Sequence, residues 1–330
     1  MQIDRYLNIR SGILMIVSDL HGDGDAFDRY VETFMALRDM GEADRLILMG
    51  DLIHGYVDPV DDHSLRMALR VMELQKSLGE DYVIMLLGNH EMPHIYGVSL
   101  AKGELEFTPR FERTMGKYRE ILIEFFKGLP LAVRTSAGVL VTHAGPDENS
   151  INRGERLRRF NHDDLLQDAD QTLAQQADLE KVYETYAQLS GQSYEELAKA
   201  YLAVEGPSDP RYSHLMRALF ISERDHRFAV LWDFLFTQNE RGIMPAAYEQ
   251  ICRRYLDALS VGAPVPQQVC VSGHIVIRDG GYQVLNNRHF RMASATHARP
   301  RESGRYLLID AAKPINSAED LIGYTRTVFR

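Results

Sequence analysis

Five apolar runs of the sequence each end in side chains that bind metal ions well. The polar segments that follow these runs are "SDLHG" (18–22), "GD" (50–51), "GNHE" (88–91), "THAG" (142–145) and "SGH" (272–274). Together they supply carboxylate, amide and imidazole groups. That mixture suits Mn²⁺, Fe or Zn²⁺, whereas Ca²⁺ favours oxygen ligands alone. Glycines beside several of these residues allow the backbone to approach closely.

The segments that position these residues alternate between strand and helix patterns over the first 145 residues. Apolar runs predict strands in "GILMIVSD", "RLILMGD" and "YVIMLLGN" and two more in "LAVRTSAGVLVTHAGP". Helical spacing of apolar residues predicts helices over residues 25–40, 64–78 and 111–127. This alternation implies a parallel sheet with helices packed on it. Because sites in such sheets form beyond the carboxyl ends of the strands, we expect the five polar ends to converge.

Residues 149–226 differ from the rest of the chain. They are rich in Gln, Ala, Glu, Leu and Tyr, with helical spacing and no convincing strand. We interpret them as a helical insertion within a single domain that spans residues 1–330. Strand patterns return in "QVCVSGHIVI", "GYQVLN", "HFRMASA" and "GRYLLID".

Composition excludes several classes of protein. The chain has 330 residues, of which 45% are hydrophobic, so it can bury a sizeable core. No apolar stretch approaches the roughly 18 residues of a membrane span, and the amino terminus lacks the apolar region of a secretory signal. The net charge of -10 argues against general nucleic-acid binding. Cys252 and Cys270 cannot make a disulfide framework, which favours a cytoplasmic location.

The order of the polar segments resembles the calcineurin-like metallophosphoesterases. The closest resemblance is to their phosphoprotein phosphatase branch, which hydrolyses phosphoserine and phosphothreonine. That branch has similar counterparts to "VLWDF" (230–234), "NERG" (239–242), "GHIVIRDGGYQV" (273–284) and "MASA" (292–295). The resemblance implies an α/β fold in which two mixed β-sheets are sandwiched between helices, here with the helical insertion added.

The same resemblance implies a two-metal centre. It assigns Asp19 and His21 to the first ion, Asp51 as the bridge, and Asn89, His143 and His274 to the second ion. Two divalent ions are expected, with manganese the first choice and iron or zinc the alternatives. The wider superfamily usually has a further histidine two positions after the last ligand, where this chain has Val276. The phosphatase branch also lacks that histidine, which favours the branch.

The implied reaction is hydrolysis of a phosphomonoester. Two ions activate a hydroxide that attacks phosphorus, and the departing alkoxide needs a proton. His90, one residue after a predicted ligand, is expected to be the general acid. Arg241 is expected to bind the phosphoryl group through charge-assisted hydrogen bonds. The expected partner is a phosphorylated peptide or protein or a small phosphoester, with no nucleic acid or membrane.

One stretch departs from the family pattern. Members of the branch read GDxxDRG, where the aspartate supports the catalytic histidine and the arginine contacts phosphate. This chain reads "GDLIHGYVD", with His54 and Gly55 at those two positions. His54 is therefore a candidate substrate contact, and Arg153 or Arg156 is a candidate replacement for the arginine. Asp58 is a candidate support for His90.

Two other functions remain open at this stage. A nucleotide or dinucleotide polyphosphate hydrolase, similar to diadenosine tetraphosphatase, shares the DxHG, GD and GNH segments and a THAG-like segment. The other alternative is a non-catalytic binding module on a phosphoesterase scaffold. Metal content separates that module from the two enzymes, and a panel of small-molecule and phosphopeptide substrates separates the enzymes from each other.

Overall fold

The structure, a computed structural model, describes residues 3–56, 61–175, 179–236, 240 and 242–329. Arg241 and Asp58 lie outside the described residues. The chain divides into two compact units. The first, the sheet unit, comprises Met1–Asn89, Leu129–Phe160 and Val230–Arg330. The second, the helical unit, comprises His90–Gly128 and Asn161–Ala229.

The strands lie mainly in the sheet unit. In chain order they are β1 (Tyr6–Ile9), β2 (Ile13–Val17), β3 (Arg45–Leu48), β4 (Val83–Met85), β5 (Ala101–Lys102), β6 (Leu105–Glu106), β7 (Ala132–Thr135), β8 (Val139–Thr142), β9 (Val269–Ser272), β10 (Ile277–Arg278), β11 (Tyr282–Asn286), β12 (His289–Met292), β13 (Ala298–Arg299), β14 (Tyr306–Asp310) and β15 (Thr325–Arg326).

The helices are distributed over both units. They are α1 (Gly24–Asp39), α2 (Ser64–Leu78), α3 (Met92–Tyr96), α4 (Phe107–Met115), α5 (Arg119–Gly128), α6 (Gly154–Arg158), α7 (His162–Ala174), α8 (Leu179–Ser190), α9 (Tyr194–Leu202), α10 (His214–Arg224), α11 (His226–Phe236) and α12 (Pro245–Leu259).

Two mixed β-sheets form the framework of the sheet unit. One has the strand order β15-β14-β2-β3-β4, in which β2, β3 and β4 are parallel and β14 and β15 run antiparallel. The other has the order β1-β7-β8-β9-β12-β11, and it also combines parallel and antiparallel pairs. The α/β fold with two mixed sheets predicted from the resemblance is thereby confirmed.

A single apolar core joins the two sheets. Side chains from both contribute to it, among them Ile16 and Ile47 from one sheet and Val141 and Val271 from the other. The apolar runs of the sequence form strands because their side chains are buried in this core between the sheets. This core fixes the carboxyl ends of β2, β3, β4, β8 and β9 on a rigid base.

Several predicted elements match the structure closely. The helix predicted over 64–78 is α2, and the helix predicted over 25–40 is α1. α1 begins where the Asp23 side chain accepts a hydrogen bond from the Ala26 backbone N–H at 3.0 Å, an N-cap that pairs an otherwise unsatisfied donor. β1, which pairs in parallel with β7, was not predicted.

The helix predicted over 111–127 is wrong as a single element. The structure has α4 and α5 there, separated by a 3-10 turn at Gly116–Tyr118. Gly116 has a φ of 47°, a left-handed conformation that glycine adopts without steric cost and that ends α4. Apolar periodicity continues across this break, which is why the pattern reads as one helix.

The helical unit has its own core. Leu197, Leu202, Leu215 and Met216 are among its buried residues. A buried ion pair links α3 to α4, where His94 Nδ1 lies 3.0 Å from Glu112 Oε1, and Arg119 Nε donates to Glu112 Oε2 at 2.6 Å. His94 of the "GNHEMPH" stretch is therefore a structural residue.

The described part of 149–226 contains helices and turns but no strand, as its sequence indicates. Residues 151–160 belong to the sheet unit, and residues 90–128 fold with 161–229. The interpretation as one domain with an insertion at 149–226 stays a prediction. Among the described residues, no helix has the length and apolar character that crossing a bilayer requires.

Candidate metal centre

Six predicted ligands lie at strand ends of the sheet unit. Asp19 and His21 follow β2, and Asp51 follows β3. Asn89 follows β4, His143 follows β8 and His274 follows β9. All are buried except His274, which is partly buried. The structure brings these six residues together, as expected from strand ends in a common core.

Asp51 lies between two imidazoles. Its Oδ2 is 3.7 Å from His21 Nε2 and 3.5 Å from His143 Nε2. His21 and His143 are the residues assigned to different ions by the family resemblance. A carboxylate between them is the arrangement that a bridging ligand requires.

A second set of contacts surrounds His143. Its Nε2 lies 2.7 Å from the Asn89 side-chain oxygen, and its ring centroid is 5.0 Å from that of His274. Asp19, Asp51, His143 and His274 each offer a ligand atom, and these atoms lie within 4.8 Å of one another. The backbone N–H of His274 also donates to both Asp19 oxygens, at 3.0 and 2.9 Å.

Backbone carbonyls orient two of the imidazoles. His143 Nδ1 lies 2.9 Å from the Met49 carbonyl, and His21 Nδ1 lies 3.3 Å from the Ile53 carbonyl. Since a carbonyl only accepts hydrogen bonds, Nδ1 of each ring carries the proton. In this tautomer each Nε2 keeps its lone pair on the side facing Asp51, as a metal ligand needs. The lone pair of His143 Nε2 then also faces the Asn89 side-chain oxygen at 2.7 Å, two acceptors that a cation bound by both would reconcile.

The centre also concentrates backbone strain. Six described non-glycine residues have positive φ, and four of them are predicted site residues: His21, Asp51, His54 and His274. Left-handed conformations cost free energy in residues with a Cβ and persist where the surroundings impose them. Their clustering at these strand ends points to a functional constraint.

Two glycines permit the close packing of this centre. A Cβ on Gly50 would lie 2.7 Å from the Gly88 backbone, so the ends of β3 and β4 could not approach as they do. A Cβ on Gly273 would overlap the Asp19 carboxylate. These two glycines thus allow the close backbone approach that was expected of them from the sequence.

Burial keeps the imidazoles neutral. It lowers the pKa of His143 below its ordinary value. It also lowers the pKa of His21 well below its ordinary value, with a further contribution from the neighbouring His297. The pKa of His274 falls for the same reasons, burial first and the charge of His143 second. Neutral imidazole is the form that binds metal.

The donor set fits a pair of divalent ions. Two buried carboxylates lie among three neutral imidazoles and an amide oxygen, which would leave buried negative charge in need of a cation. His274 Nδ1 is buried and has no hydrogen-bond partner among the described residues. The division of these residues between two ions, with Asp19 and His21 on one, Asn89, His143 and His274 on the other, and Asp51 shared, stays a prediction.

The remaining predicted site residues lie in different places. His90 is buried, follows Asn89 directly in the chain and is the first residue of the helical unit, where its ring lies 5.1 Å from that of Phe107. His54 is buried in the turn after Asp51, and its backbone N–H donates to Ser64 Oγ at 2.8 Å. Arg153 ends a short 3-10 helix (Ile151–Arg153). Arg241 is not among the described residues.

Two further residues lie at this centre that were not among the predicted site residues. His297 is buried, with its Nδ1 3.6 Å from Asp19 Oδ1. Tyr56 presents an edge to the His21 ring, with centroids 4.9 Å apart. His297 lies in the loop after β12 rather than at a strand end beside glycine. One signal was present, because "THA" at 296–298 repeats the "THA" at 142–144.

Comparison with known proteins agrees with this geometry. The family model of calcineurin-like phosphoesterases matches residues 14–206, more than half of the chain. The chain therefore belongs to the calcineurin-like phosphoesterase family, whose members are metal-dependent hydrolases. No curated protein sequence matches it.

Solved structures with a similar fold share little sequence with the chain. A protein serine/threonine phosphatase from Saccharomyces cerevisiae is 16% identical, with a TM-score of 0.49 over 93% of this chain and 77% of that one. A cold-active protein-tyrosine phosphatase from a psychrophilic Shewanella species is 13% identical, with a TM-score of 0.48 over 98% and 83%. A metallophosphoesterase from Sphaerobacter thermophilus is 14% identical, with a TM-score of 0.33 over 94% and 91%. Similarity at this level assigns no substrate.

Proposed function

We propose that this hydrolase is a phosphomonoesterase of the serine/threonine protein phosphatase type with a two-metal centre. The observation that carries the proposal is the position of Asp51, whose Oδ2 lies 3.7 Å from His21 Nε2 and 3.5 Å from His143 Nε2. A single carboxylate between two imidazoles of this tautomer could hold two cations a short distance apart. Two divalent ions, manganese first among them, would neutralise the phosphate oxygens and lower the pKa of a water molecule.

The protein's part in this chemistry is to hold its ligands rigidly. Met49 and Ile53 direct two imidazoles through their carbonyls, and the His274 backbone N–H fixes both oxygens of Asp19. Side chains held in this way would need little reorientation when the cations and substrate bind. That preorganisation is what lowers the barrier in electrostatic catalysis.

His90 is the proposed general acid. It is the residue after Asn89, so the chain itself keeps its imidazole next to a ligand of the second ion. The leaving alkoxide of a serine or threonine ester is a strong base and needs a proton as the bond to phosphorus breaks. The Phe107 ring packs against His90 within the helical unit and restricts its orientation.

Substrate phosphate is proposed to bind Arg241 with help from His54 and Arg153. Arg241 follows Glu240, whose carboxylate is held by Arg291 at 3.0 and 2.7 Å. Arg153 makes no ion pair with any residue in the described ranges, so its guanidinium is available. Arg158 and Arg159 instead pair with Asp4 and Glu155 and are proposed to be structural.

A substrate panel tests this proposal. Metal-free protein would be loaded with Mn²⁺ and assayed with phosphoserine, phosphothreonine and phosphotyrosine peptides, p-nitrophenyl phosphate and diadenosine tetraphosphate. Hydrolysis of phosphoserine or phosphothreonine peptides at a higher kcat/KM than the dinucleotide is expected. A chelated sample and the His90→Asn variant serve as controls. Faster hydrolysis of diadenosine tetraphosphate would identify a dinucleotide polyphosphate hydrolase and reject the phosphatase assignment.

A further inference from the structure

The loop of residues 293–297, between β12 and β13, is fixed to the end of β2. The Ser294 backbone N–H donates to Ser18 Oγ at 2.8 Å, and the Ser294 hydroxyl donates to the Asp19 carbonyl. Thr296 Oγ1 donates to the Leu20 carbonyl at 3.2 Å. The three residues that follow β2, Ser18, Asp19 and Leu20, are thus hydrogen-bonded to this loop. These bonds restrict movement of the loop relative to Asp19 and His21.

The loop delivers His297 to the predicted first-metal side of the centre. Its side chain is 6% exposed, and its ring centroid lies 4.7 Å from that of His21. The backbone on either side is also held, because the His297 N–H donates to the Ser294 carbonyl at 3.2 Å and the Ile277 N–H donates to the His297 carbonyl at 3.0 Å. The position of the imidazole is therefore a product of the fold rather than of a mobile surface loop.

The spacing of the donor atoms suits a shared cation. His297 Nδ1 lies 3.6 Å from Asp19 Oδ1, which is too long for a hydrogen bond. Ligands about 2.0–2.2 Å from one ion in a tetrahedral arrangement lie roughly 3.3–3.6 Å from each other. One atom each of Asp19, His21 and His297 lies within 4.8 Å of the others. A buried set of one carboxylate and two imidazoles is the donor chemistry of zinc, iron and manganese sites.

We propose that His297 is a fourth protein ligand of the first metal ion, in addition to Asp19, His21 and Asp51. This inference rests on the proposed two-metal function. The proposed ligand lies 276 residues after His21 in the chain, and the hydrogen bonds of the loop join it to the centre. Its consequence is a first site with more nitrogen donors, and hence a stronger preference for Zn²⁺ or Fe over Mg²⁺.

Metal binding without turnover tests the proposal. Metal-free wild-type protein titrated with Zn²⁺ in a calorimeter should take up two ions per chain. His297→Ala should bind one ion with unchanged affinity and the other at least about tenfold more weakly, since even outer contacts of metal ligands are worth roughly 10–100-fold in affinity. His226→Ala, which removes an exposed histidine, is the matched control and should bind both ions normally.

A cysteine variant gives a spectroscopic answer that a purely structural histidine would not. Co²⁺-loaded His297→Cys should show a thiolate-to-cobalt charge-transfer band, because the new sulfur would lie in the coordination sphere. His226→Cys should not. Two ions bound by His297→Ala at wild-type affinity, or a His297→Cys spectrum without that band, would overturn the ligand role and leave the proposed function standing. A wild-type protein that binds no divalent ion would overturn both.

Discussion

Arg291, which is buried, and Glu240, which is partly buried, form a two-point ion pair. The guanidinium donates from Nη1 to Oε1 at 3.0 Å and from Nη2 to Oε2 at 2.7 Å, and Arg291 is 2% exposed. Glu240 is the second residue of "NERG" and directly precedes Arg241. The pair anchors Glu240, the residue before the proposed phosphate contact, to β12 of the second sheet.

Arg291→Lys is expected to raise KM more than it lowers kcat. Lysine keeps the positive charge but cannot make the two-point contact, so the Glu240 backbone is less well fixed. One lost hydrogen bond is worth about 0.5–1.5 kcal/mol, or roughly a 2–10-fold rise in KM. Steady-state kinetics with a phosphopeptide would measure it, with Arg254→Lys, an exposed arginine, as the control. A lower melting temperature with unchanged KM would show that the pair is structural only.

Asp51→Asn is expected to lose both metal occupancy and activity. The amide has nearly the same shape but lacks the charge that holds two cations together. Elemental analysis should find fewer than two ions per chain, and turnover of p-nitrophenyl phosphate should fall to background. Asp39→Asn, on the exposed end of α1, is the matched control. Full turnover by Asp51→Asn would show that the two-metal assignment is wrong.

His90→Asn is expected to keep its metals and slow turnover by roughly 10²–10⁴-fold, the usual contribution of a general acid. The loss should be smaller for aryl phosphates, whose leaving groups need little protonation. Parallel assays on p-nitrophenyl phosphate and a phosphoserine peptide measure the difference. His63→Asn, an exposed histidine, should behave as wild type. Equal losses on the two substrates would exclude His90 as the acid.

The arginines of residues 153–159 are expected to separate into two classes. Arg158 Nη2 lies 2.7 Å from Asp4 Oδ2, and Arg159 Nε lies 3.1 Å from Glu155 Oε1, so alanine at either position should leave KM unchanged. Arg153→Ala should raise KM roughly 10-fold or more, because a lost charge-assisted contact costs about 1.5–3 kcal/mol. Arg241→Ala gives the reference effect. An unchanged KM for Arg153→Ala would remove this residue from the substrate site.

The two cysteines are expected to be inert in the native protein. Burial raises the pKa of Cys252 to about 11 and that of Cys270 to about 12. Both pKa values are raised, so the thiols stay protonated at pH 8 and the reactive thiolate is scarce. A thiol reagent at pH 8 should modify neither residue and leave activity intact, whereas both should react in denaturant. Rapid labelling of either thiol at pH 8 in the native protein would contradict the burial and the raised pKa values.

The sequence by itself determined the local elements and the residues placed at their ends. α2 spans Ser64–Leu78 as predicted, and β2 and β3 lie within their predicted runs, because apolar periodicity records which face of an element is buried. The identity of Asp19, Asp51 and His143 as candidate ligands needed only their position after a strand. Apolar periodicity does not reveal the break at Gly116. The apolar spacing continues on both sides of this residue, whereas its positive φ ends α4.

Only the tertiary structure decided what meets at the centre. His297 approaches Asp19 through a loop held to Ser18 and Leu20, and Arg291 reaches Glu240 from β12. Neither contact can be predicted from apolar periodicity, because each depends on strand order and on residues far apart in the chain. The sequence specifies the candidate ligands one by one, and the packing of two sheets on one core sets the distances between them.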